Sequence, residues 1–538
     1  MSLGAASNFS QGWNETLFRA ALSLPLQDWR DSIRWADVEK VKGHYSFDTP
    51  MTRYPQRLAK AKARLTLTLN WGNPLYDSGK TPHSDEALAA FRRFVAEVVR
   101  RYPAIDTIEV GNEINGSNFV NGPVKDEGLV KRRAYHLAMV RSAAEGVKIA
   151  QPPVRVIGGS VHSLPGGFLW PLLEDPAATF LQGLAVHPYT TPIEQLPQQF
   201  GVLRRHDGLR LRDLYITEFG SQNAETGPDE LVRAYAVLSS LGAAELDWFP
   251  LNDRSDGFVP LLSRTGQPTQ VGRAFRFVAE RLAPHRARDI SPDRFTFIYA
   301  FGPDTLVLWG APRPIRIDPA VVTAFDAAGN RVDPGGMMLD ETRAVVLKGQ
   351  RPLVMGANVH LGCLSLIADS FLGFSYPSAE AAGNPPTGFV VSAETARGKV
   401  PLATLPGQQS DGVPWTPYLG LGGAALPRVL ADLAIPGPES SVFPEFRARR
   451  ASTLLIQSEF AAAHPGAAGA KISLFMDGRP IRLSAQSSLG RVEKSLEVRS
   501  GQKLSFAIGW NRTARDSATR YRIRLFDPAS CPGKDDRR

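Results

Sequence analysis

The sequence predicts an α/β fold: a (β/α)8 barrel over residues 1–285, followed by two β-sandwich domains at 286–362 and 363–532. Two observations carry this, one on either side of residue 285. Before it, short β-branched or apolar runs alternate with amphipathic helical stretches, the signature of a parallel sheet, and eight such runs fit the span, the number a closed barrel needs. After it, helical periodicity stops and short alternating runs split by Gly, Pro and Asp take over, as in small sandwiches.

The eight candidate strands are "LGAASNF", "DWRDSIRW", "RLTLTLNWG", "DTIEVGNE", "VRVIGGSV", "GLAVHPY", "DLYITEFG" and "AELDWFPL". Helices fit between them. The stretch "SDEALAAFRRFVAEVVRRY", residues 84 to 102, sets Leu88, Phe91, Val95, Val98 and Val99 on one face. It opens with Ser84 and two acids, which suit a helix N-terminus. Farther on, "DRFTFIYAFGPDTLVLWG" and "RPLVMGANVHLG" read as a small sandwich packed on the barrel. The last domain has a Pro- and Gly-rich middle (376 to 440) and closes on "SLEVRSGQKLSFAIGWNRTARDSATRYRIRLF", strand, turn and strand. Residues 533–538, "GKDDRR", read as a disordered tail.

Composition bounds the function. At 538 residues the chain exceeds a single core, and 43% hydrophobic with 21% charged residues is an ordinary soluble mixture. No run is long enough to span a membrane, and a monomer is expected. The start, "MSLGAASNFSQGW", lacks the basic segment and apolar core of a secretory leader. A periplasmic or secreted protein whose leader has been removed is favoured by the early strand-like run, with a cytoplasmic protein still open. Net charge is +9, yet the basic residues are interspersed with acids and no basic helix stands out, so nucleic acid is not expected as a partner and an anionic polysaccharide fits better. Cys363 and Cys531 lack metal-ligand spacing, so no metal is expected. They are either two unrelated thiols or a disulfide clasping the last domain, which would imply an oxidising compartment. Walker-type loops and the G-x-S-x-G elbow are absent, and "VIGGSVH" lacks the spacing of a dinucleotide cradle, so no cofactor is expected.

Chemistry in a parallel barrel sits where the strands end. Strand 4 ends on "IEVGNE" with Glu113, and strand 7 on "LYITEFG" with Glu218. Two carboxyls on one face suit glycosidic bond cleavage, in which an acid protonates the leaving oxygen while a carboxylate attacks the sugar carbon. Asn112, beside Glu113, is a candidate to bond a sugar 2-hydroxyl. Trp248, near the end of strand 8, offers a ring to stack under a sugar or to fill the core. Asn70, Trp71, Asn73 and Tyr76 follow strand 3 as candidates for the donor site. His136, in a helical stretch, and His44, in a turn, read as structural, and Asn115 and Asn118 as loop residues.

The stretches "WRDSIRWADVEKVKGHYSFD", "LNWGNPLYDSGKTPHS", "IEVGNEING", "LAVHPYT" and "LYITEFGSQ" cover most of residues 25 to 280, and in them the chain resembles clan A glycoside hydrolases. Within the clan it is most similar to family 39 and related bacterial exopolysaccharide hydrolases. The resemblance implies a retaining, double-displacement enzyme with Glu113 as general acid/base and Glu218 as nucleophile. It also implies that Arg30 holds Glu218 ionised and that His187 and Tyr189 lie beside the nucleophile. The first strand matches the family less well. The segment after 285 looks like the family's β-domain, and the last domain is similar to jelly-roll carbohydrate-binding modules, with Trp415, Tyr418 and Trp510 as candidate sugar platforms. The expected substrate is a polysaccharide or oligosaccharide. Two rivals stand beside this reading: an inactive carbohydrate-binding protein on the same barrel, and a transglycosylase with the same site.

Overall fold

The computed structural model describes residues 1–378, 388–396, 398–423, 425–482 and 489–531; the tail expected to be disordered lies outside them. Eight parallel strands close a barrel: β1 (Ser2–Ala6), β2 (Asp28–Ser32), β3 (Arg64–Leu69), β4 (Ile105–Val110), β5 (Arg155–His162), β6 (Gly183–His187), β7 (Asp213–Phe219) and β8 (Glu245–Trp248). Each pairs with its neighbours in sequence, and β8 closes on β1. The eight expected runs all fall on these strands. Most overrun the strand by two or three residues, because "NWG", "GNE" and "PY" turn the chain away from the sheet.

Alternation along each strand divides two environments. In β3, Leu65, Leu67 and Leu69 join the main apolar core, while Thr66 and Thr68 point into the barrel and donate to Glu245 (3.2 Å) and Glu109 (2.7 Å). The barrel interior is therefore polar, which is what lets charged side chains be assembled at its upper end. The helix read at 84 to 102 is found at Asp85–Arg101, with the Ser84 hydroxyl accepting from the Ala87 amide at 3.1 Å. Phe94, Ala87, Ala90 and Ala96 complete its buried set, and Leu88 stands at the margin, half-buried.

Past the barrel come two β-sandwich domains. Six antiparallel strands between Ala287 and Gly349, with the pair Ile315–Ile317 and Val359–Leu361, form the first. Its Trp309 is wholly buried and donates to Glu194 at 3.0 Å, which also receives Arg233 at 2.6 Å, so the domain is fastened to the barrel's outer side. In the second, a sheet running from Ala403–Leu405 to Gly490–Val498 faces a six-stranded one over its own apolar core. Arg522 joins the two domains through Glu341 and Asp369, each at 2.6 Å.

Of the two readings of the cysteines, the structure holds the disulfide: Cys363 and Cys531 are bonded, their Cα atoms 5.5 Å apart across 168 residues of sequence. Among the described residues no helix is long and apolar enough to cross a membrane.

Candidate active site

Four strands bring charged groups to the barrel's C-terminal end. Arg30, in β2, is nearly fully buried. Its guanidinium donates from Nε to Glu109 at 2.6 Å, from one terminal nitrogen to Glu218 at 2.5 Å, and from the other to the Asn112 side-chain oxygen at 2.9 Å. One planar fork thereby fixes three groups from β4 and β7. Burial alone would raise the Glu109 carboxyl, but Arg30 and His187 outweigh it and hold the group far below the usual range. Thr68 and Thr217 complete its shell, donating at 2.7 and 2.9 Å. A buried carboxylate satisfied in this way is a fixed negative charge in the barrel floor.

Glu218 lies at the top of β7. Burial pushes its carboxyl up, whereas His187, Arg30 and the Tyr189 hydroxyl, which donates at 3.0 Å, pull it down; the net result is below the ordinary value. The group is thus an ionised, aimed carboxylate.

Glu113 stands three residues past the end of β4, with φ at +42° in the left-handed region. Non-glycine residues are held there only by their surroundings, and here the surroundings are specific. Gly111 precedes it at φ +82°, where a Cβ would fall 2.6 Å from Ile114 Cγ2. The Ile114 amide donates to the Ser160 carbonyl at 3.1 Å, on a bulge in β5. That bulge is the "GGS" of "VIGGSVH", and the His136 ring accepts from its Gly159 amide at 2.9 Å. Burial holds His136 at about 3, so it is a neutral acceptor and, as read, structural.

His187 closes the group. Its Nδ1 is 3.2 Å from Glu113 and its Nε2 3.0 Å from the Thr217 hydroxyl. Thr217 donates to Glu109, so its oxygen accepts the Nε2 proton. Burial disfavours charge on the imidazole, but Glu218, Glu109 and Glu113 outweigh burial and raise it to about 9. One oxygen each from Glu113 and Glu218 and one His187 nitrogen lie within 4.8 Å of one another.

Beside Glu218 and Asn112 opens a cavity of about 150 Å³, lined also by Asn70, Trp71, Phe119 and Arg254. Asn70 accepts from the Asn112 amide at 3.1 Å, and Trp71 is exposed at its rim. A larger, mostly apolar cavity, about 670 Å³, lies beside Cys363 and Phe446, apart from the carboxyl pair.

The structure therefore gathers Glu113, Glu218, Arg30, Asn112, His187, Tyr189, Asn70 and Trp71 at one end of the barrel. It does not place Trp248 there: that ring is wholly buried against Phe219, with Nε1 donating to the Val259 carbonyl at 3.0 Å, so it is a core residue with no face open to a sugar. Asn73 and Tyr76 are turned away too, bonded to the Glu39 carbonyl and carboxylate at 2.8 Å each. Tyr418 is buried and Trp510 half-buried. Four contributors escaped the reading: Glu109, Thr217, Arg132 and Asn115. The first two carried a signal, an acid and a hydroxyl at inward positions of alternating strands. Arg132, on the helix Gly128–Ala150, donates to the carbonyls of Asn115 and Gly116 at 3.2 and 2.7 Å, a clamp with no local motif.

No protein-family model and no curated protein matches the chain. Solved structures do. A family 39 glycoside hydrolase from the gut symbiont Bacteroides cellulosilyticus WH2 aligns with a TM-score of 0.54 at 19% identity, over 65% of this chain and 81% of that one. A family 39 β-xylosidase from Caulobacter crescentus aligns at 0.47 and 12%, over 65% and 96%. A family 30 subfamily 8 xylanase from Clostridium acetobutylicum aligns at 0.47 and 14%, over 64% and 95%. At these identities the likeness is one of fold, and the first of these folds belongs to the family that the sequence resembles.

Proposed function

We propose that the protein is a retaining glycoside hydrolase that cleaves O-glycosidic bonds of a polysaccharide or oligosaccharide by double displacement. The observation that carries this is the approach of Glu113 and Glu218 from different strands to within 4.8 Å. Retaining enzymes set their carboxyls about 5 to 5.5 Å apart, whereas inverting ones leave about 6.5 Å or more for a water.

Glu218, kept ionised by His187, Arg30 and Tyr189, attacks the anomeric carbon. Glu113 gives its proton to the departing oxygen, then takes one from the water that releases the sugar. The His187 imidazolium next to Glu113 steadies the carboxylate that forms when the proton leaves. Asn112, its oxygen tied to Arg30, has its amide nitrogen left to bond the 2-hydroxyl. The donor sugar sits in the cavity lined by Asn70 and Trp71. Arg254 at that cavity and the net charge of +9 favour a glycan bearing carboxylates. The disulfide fits the periplasm or the outside of the cell.

The test is chemical trapping. A 2-deoxy-2-fluoro glycosyl fluoride of an accepted sugar should leave an ester on Glu218 that peptide mass mapping finds, and Glu218→Ala should not turn over. Glu113→Gln should lose about 10²- to 10⁴-fold on substrates with poor leaving groups. Binding of a glycan with no hydrolysis by wild type would favour the inactive, carbohydrate-binding alternative, and sugar transfer exceeding hydrolysis in the presence of an acceptor would favour the transglycosylase.

A further inference from the structure

Trp415 belongs to the C-terminal sandwich by sequence and to the candidate active site by position. It is one of the few large apolar side chains that stand exposed, at 38%. Its ring meets His162 edge-on, centroids 5.2 Å apart, and His162 lies 6.0 Å from Tyr189, whose hydroxyl holds Glu218. The ring also meets Gly116, three residues after Glu113, where a Cβ would fall at ordinary contact distance, 3.5 Å, from the indole.

The loop that carries Trp415 is docked rather than draped. Asn115 and Gln408, both almost fully buried, exchange amide hydrogen bonds: Asn115 Nδ2 donates to Gln408 Oε1 at 2.8 Å, and Gln408 Nε2 donates to the Asn115 carbonyl at 3.0 Å. Asn115 also accepts from the His162 amide at 2.8 Å. The Gly167 amide donates to the Gly407 carbonyl at 2.8 Å, an approach so close that a Cβ on Gly167 would lie 2.3 Å from that oxygen.

The cavity of Asn70 and Trp71 lies beside Glu218 and Asn112. Trp415 is not part of its lining: it stands against Gly116, on the loop that bears Glu113, and against His162. An acid that protonates a glycosidic oxygen sits between the sugar being cleaved off and the group it leaves.

We propose that Trp415 is the stacking platform for the sugar on the leaving-group side, so that the C-terminal sandwich forms one wall of the cleft and selects substrates carrying at least one further sugar unit there. This rests on the glycosidase reading above. A partly exposed indole against the loop that bears the general acid suits the C–H face of a pyranose, and its edge-on packing against His162 holds the ring in place.

The experiment compares wild type, Trp415→Ala and Trp415→Phe on two kinds of substrate with the same donor sugar. A panel of β-xylosyl, β-glucosyl, β-mannosyl and β-glucuronosyl fluorides finds the accepted donor, and fluoride offers no ring to the platform. The di- to tetrasaccharides of that sugar do. The expected result is that the ratio of kcat/KM for the oligosaccharide to that for the fluoride falls roughly tenfold in Trp415→Ala, mainly through KM. Trp415→Phe should recover part of it. The ratio cancels any loss of folded enzyme. An unchanged ratio, with wild type active and Glu218→Ala dead, overturns the platform and leaves the hydrolase standing. No cleavage of either substrate kind by wild type overturns both.

Discussion

At the scale of single residues, the site sets two cations against three carboxyl groups. Arg30 and the His187 imidazolium face Glu109, Glu113 and Glu218. The His187 nitrogen is raised from 6.5 to about 9 in the folded chain, so the stability it contributes is fully present below pH 6.5 and is lost as pH rises through 9. Glu218 works in the opposite sense. Its folded value is depressed, so its contribution is present above the ordinary carboxylate value and disappears as pH falls through the folded one. The melting temperature of His187→Asn should therefore lie furthest below wild type under pH 6.5, and the gap should narrow as pH passes 9. Thermal unfolding across that range checks this; a gap independent of pH would mean that the imidazole supports the barrel by packing alone.

Among the elements, β4 and the turn after it do the demanding work. The strand stops at Val110, a left-handed Gly111 and Glu113 reverse the chain, and the β5 bulge and the helix-borne Arg132 hold the reversal from two sides. Arg132 is buried and its donors go to backbone carbonyls, including Val124 and Lys125 at 3.0 and 2.9 Å. Arg132→Met should cost at least about 2 kcal/mol of stability, since several bonds from a charged donor are lost at once. It should also lower kcat at temperatures where the fold is intact, because the turn carrying Glu113 is released. Denaturant titration and steady-state rates on the same sample measure the two effects, and a stability loss without a rate loss would dissociate the clamp from the acid. The strands themselves were legible because "RLTLTL" and "DTIEV" alternate and because each run ends in turn residues. The strand-end positions of Glu113 and Glu218 followed from the same pattern. What the pattern does not carry is which inward polar residues meet across the barrel. Glu109 sat in plain view four residues before Glu113, yet its link to Arg30 depends on pairings 79 residues apart. Trp248 carries two readings in the sequence for a related reason: a strand end offers a side chain either to the cavity or to the core, and the Val259 carbonyl that claims its indole lies in a later loop.

Over the whole molecule, the C-terminal sandwich is clasped by the disulfide at its own ends and held to the rest of the chain by, among others, the Gln408 loop on the barrel and Arg522 on Glu341. A cross-link closing a loop of 168 residues is worth about 5 kcal/mol in the chain-entropy account. Reduction, or Cys363→Ser with Cys531→Ser, should split thermal unfolding into two transitions, the earlier one belonging to the C-terminal sandwich, as differential scanning calorimetry would resolve. A single transition shifted as a unit would mean that the sandwich does not melt apart from the barrel. Asn115 and Gln408, which share the dock beside the general acid, stand 293 positions apart. When the last barrel strand ends at Trp248, 160 residues remain before Gln408, roughly 8 to 32 s at about 5 to 20 residues added per second. For this interval the nascent barrel presents its rim half-built, with a buried amide of the finished protein still bonded to water and awaiting a partner not yet translated.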